Sequence, residues 1–169
     1  HGGGIEPATT ELAYTIAHYG DYNYFSFKGM RSKGNNELHV TSTHYDDQIA
    51  LDLVRGSQRT VAIHGCEGNE SVAYIGGSDD RLIELVTESL EDIGISVREA
   101  PHHISGTQEN NIVNMTQTQG GVQLELTAQL RKELFKNRKS SRKNRENKDN
   151  WDDLMYDFAD AMKKAIERA

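Results

Sequence analysis

Two imidazoles and two carboxylates are placed in this sequence where they could share one site. His1 and Glu6 bracket a run of glycines in His1-Gly-Gly-Gly-Ile-Glu6. Imidazole nitrogen and carboxylate oxygen suit a hydrolytic zinc ion at neutral pH. Glycines carry no side chain and take positive φ at no steric cost, so the loop can fold both ligands towards one point. The competing reading is a glycine-rich turn with an incidental histidine. His64 closes the compact apolar run Thr60-Val-Ala-Ile-His64, which reads as a buried strand, and ligands in open α/β folds collect at the carboxyl ends of strands. A histidine with a satisfied hydrogen bond in the core or at an edge is the alternative there. In Gly121-Val-Gln-Leu-Glu-Leu126 the alternation places Gln123 and Glu125 on one face, opposite Val122, Leu124 and Leu126. On a central strand Glu125 must be paired, metal-linked or functional, because burying it bare is too costly; on an edge strand it is merely solvated. Two histidines and a carboxylate form the ligand set of many hydrolytic zinc sites, and a second, non-ligating carboxylate can take the proton of the activated water. His1, Glu6, His64 and Glu125 supply that inventory.

These residues need a scaffold. Thr9 and Thr10 start a helix that carries Leu12, Ile16 and Tyr19 at helical spacing and stops at Gly20. Residues 22–27 alternate aromatic and polar side chains and predict a strand. Residues 28–36 read as loop and 38–44 as a short extended segment. A helix over 46–55 ends near Gly56, and residues 72–75 form a further strand before Gly76 and Gly77. Ser78 caps a helix over 79–93, whose inner stripe is Leu82, Leu85, Val86, Leu90 and Ile93. Residues 95–98 read as a strand, 101–119 as mostly polar loop, and Thr127 begins a helix after the Glu125 strand. A closing helix over 151–168 places Trp151, Leu154, Met155, Phe158 and Met162 on one side. Strands alternating with helices predict an α/β fold with an open, mixed, largely parallel sheet flanked by helices. Residues 1–169 form one domain, with 136–150 a mobile basic loop.

Composition narrows the partners. A chain of 169 residues suits one core of ordinary size. Its net charge of -7 argues against nucleic-acid binding by bulk electrostatics. The sole cysteine, Cys66, excludes an internal disulfide framework and a multi-cysteine zinc site. No apolar run approaches the roughly 18 residues of a membrane span, and no signal peptide is present. The expectation is a soluble chain without a membrane partner, cytoplasmic or released. The basic stretch with Lys136, Arg138, Lys139, Arg142, Lys143, Arg145 and Lys148 reads either as a solvated loop or as an arm that guides a polyanion.

Six short motifs occur in order: His1-Gly-Gly-Gly-Ile-Glu-Pro-Ala-Thr-Thr-Glu-Leu12, Leu38-His-Val-Thr-Ser-Thr-His-Tyr-Asp46, Ala62-Ile-His-Gly65, Gly76-Gly77, Asn111-Ile-Val-Asn114 and Gly121-Val-Gln-Leu-Glu-Leu126. Together they resemble the phage and bacterial poly-γ-glutamate hydrolase family, whose fold is similar to that of zinc carboxypeptidases. The likeness runs from residue 1 to about Phe135. It implies that His1, Glu6 and His64 bind Zn2+, that Glu125 is the general base and acid, and that the substrate is poly-γ-glutamate, cleaved at its γ-linked amide bonds. It further implies substrate-facing roles for Asn114 and Arg131; a surface helix arginine is the other reading of Arg131. His39, within the second motif, is a candidate to line the cleft. The chain departs from the pattern at Met115, where the resemblance implies an arginine that grips a substrate carboxylate; a thioether cannot replace that planar fork. Arg81 and Arg98 are candidate substitutes. A second departure is that no strand precedes His1.

Three other readings compete: a zinc carboxypeptidase or amidohydrolase acting on a different acidic substrate, a nucleic-acid-binding protein using the basic arm, and a copper enzyme with an N-terminal histidine brace. The arm has no interleaved aromatic residues, which counts against nucleic acid. An α/β pattern counts against the copper enzyme.

Overall fold

The computed structural model describes residues 1–169. In chain order its elements are β1 (Gly2–Gly3), α1 (Thr9–Gly20), β2 (Lys28–Gly29), α2 (Gln48–Arg55), β3 (Val61–Cys66), β4 (Val72–Gly77), α3 (Asp80–Asp92), β5 (Ser96–Glu99), β6 (Val122–Thr127), α4 (Ala128–Glu133), α5 (Arg142–Arg145) and α6 (Asp153–Glu167), with short 3-10 turns between some of them. The main sheet has the order β3-β6-β4-β5. β3 is parallel to β6 and β4 to β5, while β4 and β6 are antiparallel. This is the expected open α/β sheet, mixed and largely parallel.

Alternation along β6 assigns the two faces. Val122, Leu124 and Leu126 are fully buried and join Leu12 of α1, Leu82 and Leu85 of α3, and Phe158 and Met162 of α6 in the hydrophobic core. Gln123 and Glu125 point the other way. The register sets His64 on one side of Glu125 and Tyr74 on the other, forming a single row across the sheet. Because β6 lies between β3 and β4, Glu125 is on an interior strand and the solvated-edge reading falls away. This polar face is covered by the loop after β5 and not by a helix. Gly76 lies so close to the Ser105 carbonyl that a Cβ would come 2.0 Å from its oxygen, and the Gly77 N–H donates to the same oxygen at 2.7 Å. A face that buries Gln123 and Glu125 needs hydrogen-bonding partners, which loop backbone supplies.

Several local expectations differ from the structure. Residues 22–27 form no strand; they run irregularly and all six border one cavity. β3 is an edge strand with only Ile63 and His64 buried, where a fully buried strand was expected. Residues 38–44 carry 3-10 turns. Asp79 and not Ser78 caps α3, accepting from the Leu82 N–H at 3.0 Å, because the Ser78 hydroxyl donates to Asn114 Oδ1 at 2.7 Å. The basic stretch 136–150 is folded into short helical turns, closed at its base by pairing of Phe135 with Trp151. Arg145 within it is buried. No helix is long and apolar enough to cross a membrane.

Candidate metal centre

The glycine loop is fixed by backbone pairing. β1 runs parallel to β2, and the Gly4 N–H donates to the Gly29 carbonyl at 2.8 Å. Gly3 has φ +64°, and a Cβ there would lie 2.6 Å from the Gly29 oxygen, so this position requires glycine. The Thr9 hydroxyl donates to the carbonyls of both His1 and Glu6, tying the two ends of the loop to the start of α1.

This folding inserts the Glu6 carboxylate among three imidazoles. Oε1 lies 3.4 Å from His1 Nδ1 and 3.4 Å from His39 Nε2, and Oε2 lies 3.6 Å from His64 Nδ1. The Gly65 N–H donates to Oε2 at 2.9 Å. Burial pushes the Glu6 carboxyl up, but the close approach of the His1 and His64 imidazoles outweighs it and brings the group down to about 2. The His1 side chain is 2% exposed. Its Nε2 accepts from the Val40 N–H at 3.3 Å, and its Nδ1 is buried without a hydrogen-bond partner. A partnerless buried imidazole nitrogen facing a carboxylate fits a metal-ligand position, and the His/Glu donor set is that of zinc.

Two three-ligand sets share His1 and Glu6. The tighter grouping takes His39, with one ligand atom from each residue within 4.8 Å of the others. The expected set takes His64, which stands outside that grouping but against the second oxygen of the same carboxylate. His64 is held on β3 with its side chain 10% exposed, whereas the His39 side chain is 47% exposed and stacks on His1 at 4.3 Å between ring centroids. The role of His39 as a possible ligand was missed in the sequence; its place in a His-containing motif was the available signal. Tyr45, edge-on to His1 at 5.9 Å, was also missed.

Glu125 is next to His64 in the row across the sheet. Burial raises its carboxyl to about 8, helped by the negative charge of Glu6 and opposed by the hydrogen bond from Gln123. Gln123 Nε2 donates to Glu125 Oε1 at 3.1 Å and to the Ile104 carbonyl at 3.0 Å, while its own Oε1 accepts from Asn111 at 3.2 Å. Gln123 and Asn111 therefore orient Glu125. The period-two pattern put Gln123 on that face but gave no reason to single it out.

Of the residues expected to face substrate, His39 stands at the site, whereas Asn114 and Arg131 are engaged in hydrogen bonds of their own. Asn114 donates to the carbonyls of Gly106 and Gln108 at 2.7 and 3.0 Å and accepts from Ser78. Arg131 is buried, and its Nε, Nη1 and Nη2 donate to the carbonyls of Leu126, Pro7 and Cys66. Arg81 pairs with Glu84 and Arg98 with Glu70 at the surface. In the basic stretch the three arginines are paired, Arg138 with Glu133, Arg142 with Glu146 and Arg145 with Glu11, whereas Lys136, Lys139, Lys143 and Lys148 have no carboxylate partner. Beside His1 and His64 a cavity of about 570 Å³ borders Val61 and Ile63 of β3, with Ile16, Tyr22 and Phe25 among its walls.

The model of the family described as poly-gamma-glutamate hydrolase matches residues 1–161. The SPbeta prophage-derived UPF0714 protein YoqZ of Bacillus subtilis (strain 168) is 37% identical over 137 residues, covering 80% of this chain and 49% of YoqZ. A solved structure of a bacteriophage poly-gamma-glutamate hydrolase superposes with a TM-score of 0.93 at 33% identity, covering 98% of this chain and 79% of that one. The zinc-free apo structure of YndL gives a TM-score of 0.91 at 30% identity, covering 99% and 81%. The chain spans about half the length of YoqZ and of the B. subtilis YndL sequence, 49% and 54% respectively. The chain belongs to the poly-gamma-glutamate hydrolase family.

Proposed function

We propose that this chain is a zinc-dependent hydrolase of γ-glutamyl amide bonds in poly-γ-glutamate. The observation that carries the reading is the single Glu6 carboxylate faced on one oxygen by His1 Nδ1 and on the other by His64 Nδ1, with Glu125 beside His64 in the same row. The family match supports the substrate class, and the description of YndL as zinc-free supports the metal. His1, Glu6 and His64 would hold the ion, with His39 on the open side. Zinc bound there supplies a Lewis acid for the scissile carbonyl and acidifies water to a pKa of about 7.

The chain's own residues supply the proton path and the orientation. Glu125 stands next to His64 in the row across the sheet and is held by Gln123 Nε2 at 3.1 Å, so it is placed to serve as general base towards the attacking water and then as acid towards the departing amine. Gln123 holds its Oε1 and sets its direction. Gly65 N–H and the imidazoles keep Glu6 ionised, as a ligand must be. The one arginine in the cavity wall, Arg59, is paired with Asp79, so that cavity is poorly matched to a polyanion, and the half-exposed His39 is the better candidate to meet a substrate carboxylate. Met115, in place of a carboxylate-gripping arginine, favours one second reading: a zinc amidohydrolase of the same mechanism with a different acidic substrate.

Digestion of poly-γ-glutamate with and without a chelator tests substrate and metal together. The expected result is shortening of the polymer that stops when zinc is withdrawn and resumes on its return. Glu125→Gln should bind zinc and fail to cleave; full activity in that variant refutes the assigned base. Intact polymer alongside cleavage of another acidic amide would select the second reading.

A further inference from the structure

The buried side chains include two arginines, Arg131 and Arg145, and both end on the loop that carries His1 and Glu6. We propose that Arg131 is a positioning residue that fixes the mutual spacing of the three segments building the site, with Arg145 gripping the same loop at its other end. The proposal deepens the zinc-hydrolase reading and, in its consequence for metal affinity, rests on it.

Each of the three Arg131 hydrogen bonds lands beside a site residue. Nε donates at 3.0 Å to the carbonyl of Leu126, the residue after Glu125. Nη1 donates at 2.9 Å to the carbonyl of Pro7, the residue after Glu6. Nη2 donates at 3.0 Å to the carbonyl of Cys66, two residues after His64. One rigid planar fork therefore spans β6, the glycine loop and β3, which are distant in sequence. The guanidinium also packs against Gly65, where a Cβ would lie 2.7 Å from Cζ, and the N–H of this same Gly65 donates to Glu6 Oε2. An arginine serving an oxyanion would aim its N–H groups at the reacting atoms; this one aims three of them at backbone.

Arg145 closes the other side. Its Nη2 donates to the Gly3 carbonyl at 3.1 Å, its Nη1 to the Ser140 carbonyl at 2.6 Å, and its Nε to Glu11 Oε1 at 3.3 Å. The loop is thus gripped at Gly3 and at Pro7 by two guanidinium groups from the last third of the chain. The basic stretch acquires a positioning role through Arg145 that its charge alone does not suggest.

The test compares the wild type with Arg131→Met, Arg131→Lys and Arg145→Met by two readouts. The first is amide hydrogen exchange in the metal-free proteins; the second is zinc affinity by competition with a chelator. In Arg131→Met, exchange at the Gly65 N–H should quicken at least tenfold while α6 keeps its protection, and zinc should bind about 10–100-fold more weakly, as for other residues that orient ligands. Arg131→Lys keeps the charge but not the fork, so it should fall between the two and carries the test if Arg131→Met does not fold. Arg145→Met should quicken exchange at the Gly4 N–H. Unchanged Gly65 exchange and zinc affinity in a folded Arg131 variant, with hydrolysis lost, would overturn the proposal and return Arg131 to the substrate. A wild type that takes up no zinc would sink the zinc reading alone, because the exchange data still decide the role of Arg131.

Discussion

Removing the metal should leave a protein whose stability falls steeply with rising pH, and Glu125 should be the cause. In the folded chain its carboxyl titrates near 8 instead of 4.5, because burial and the Glu6 charge both disfavour the anion. The folded state therefore holds this proton more tightly than the unfolded one. The resulting stability is fully present below pH 4.5 and is lost as pH rises through 8. At ~1.4 kcal/mol for each pH unit between the two values, the whole loss is about 5 kcal/mol, a large part of the roughly 5–15 kcal/mol that holds a typical domain together. Glu125→Gln keeps the shape, can still accept from Gln123, and removes the titration. Urea unfolding of the metal-free wild type and Glu125→Gln at pH 5, 7 and 8.5 measures the difference directly. The variant should gain on the wild type steadily across that range and be the more stable protein at pH 8.5. A wild-type-to-variant difference that stays flat within about 1 kcal/mol would show that Glu125 is not a buried, proton-holding carboxyl, and the reasoning about its role would fail with it.

Glu6 should act in the opposite sense. Its carboxyl lies near 2 in the folded chain, so its contribution is present above pH 4.5 and disappears as pH falls towards 2; Glu6→Gln should flatten the acid limb of the metal-free unfolding curve. Comparing His64→Ala with His39→Ala identifies the third ligand, since the variant that lacks it should lose zinc affinity by several powers of ten while the other changes it little. Gly76→Ala forces a Cβ against the Ser105 carbonyl and should cost about 1–3 kcal/mol by thermal or urea unfolding, with Glu125 disturbed through the displaced loop. Adding salt to a digestion should have only a modest effect on the rate, because the three arginines of the basic stretch already have partners and only its four lysines are left to meet a polyanion; a steep salt dependence would restore the polyanion-steering role.

Where the sequence was legible, a local pattern coincided with a tertiary fact. Val-Gln-Leu-Glu-Leu alternates because β6 divides core from site, so the period of two named both faces before any partner strand was known. The stripe of Leu82, Leu85, Val86 and Leu90 gave α3 for the same reason. Residues 22–27 misled because alternation alone does not make a strand, and hydrogen-bonding neighbours are not written in the local pattern. Arg131 and Asn114 were legible only as residue types. Their partners are mostly backbone carbonyls, close along the chain for Asn114 and, at Pro7 and Cys66, distant for Arg131, and backbone carbonyls have no sequence signature. The His1, Glu6 and His64 grouping was legible as an inventory of ligand types; the intrusion of His39 depends on how the turn around Asn35–Leu38 folds, which its residues do not specify.

The row His64–Glu125–Tyr74 also makes the site a check on strand alignment. In a sheet, sliding one strand by a single residue turns its entire set of side chains over to the opposite face. If β3 slipped by one position against β6, His64 would enter the apolar layer beside Leu124 and Ile63 would surface among the ligands. No intermediate alignment exists in which His64 is slightly misplaced, so a chain should either hold His64 in the donor set or keep only His1, Glu6 and His39. A misaligned sheet would then show as a second, separate metal affinity, that of the three remaining side chains, and not as a gradual weakening of one site.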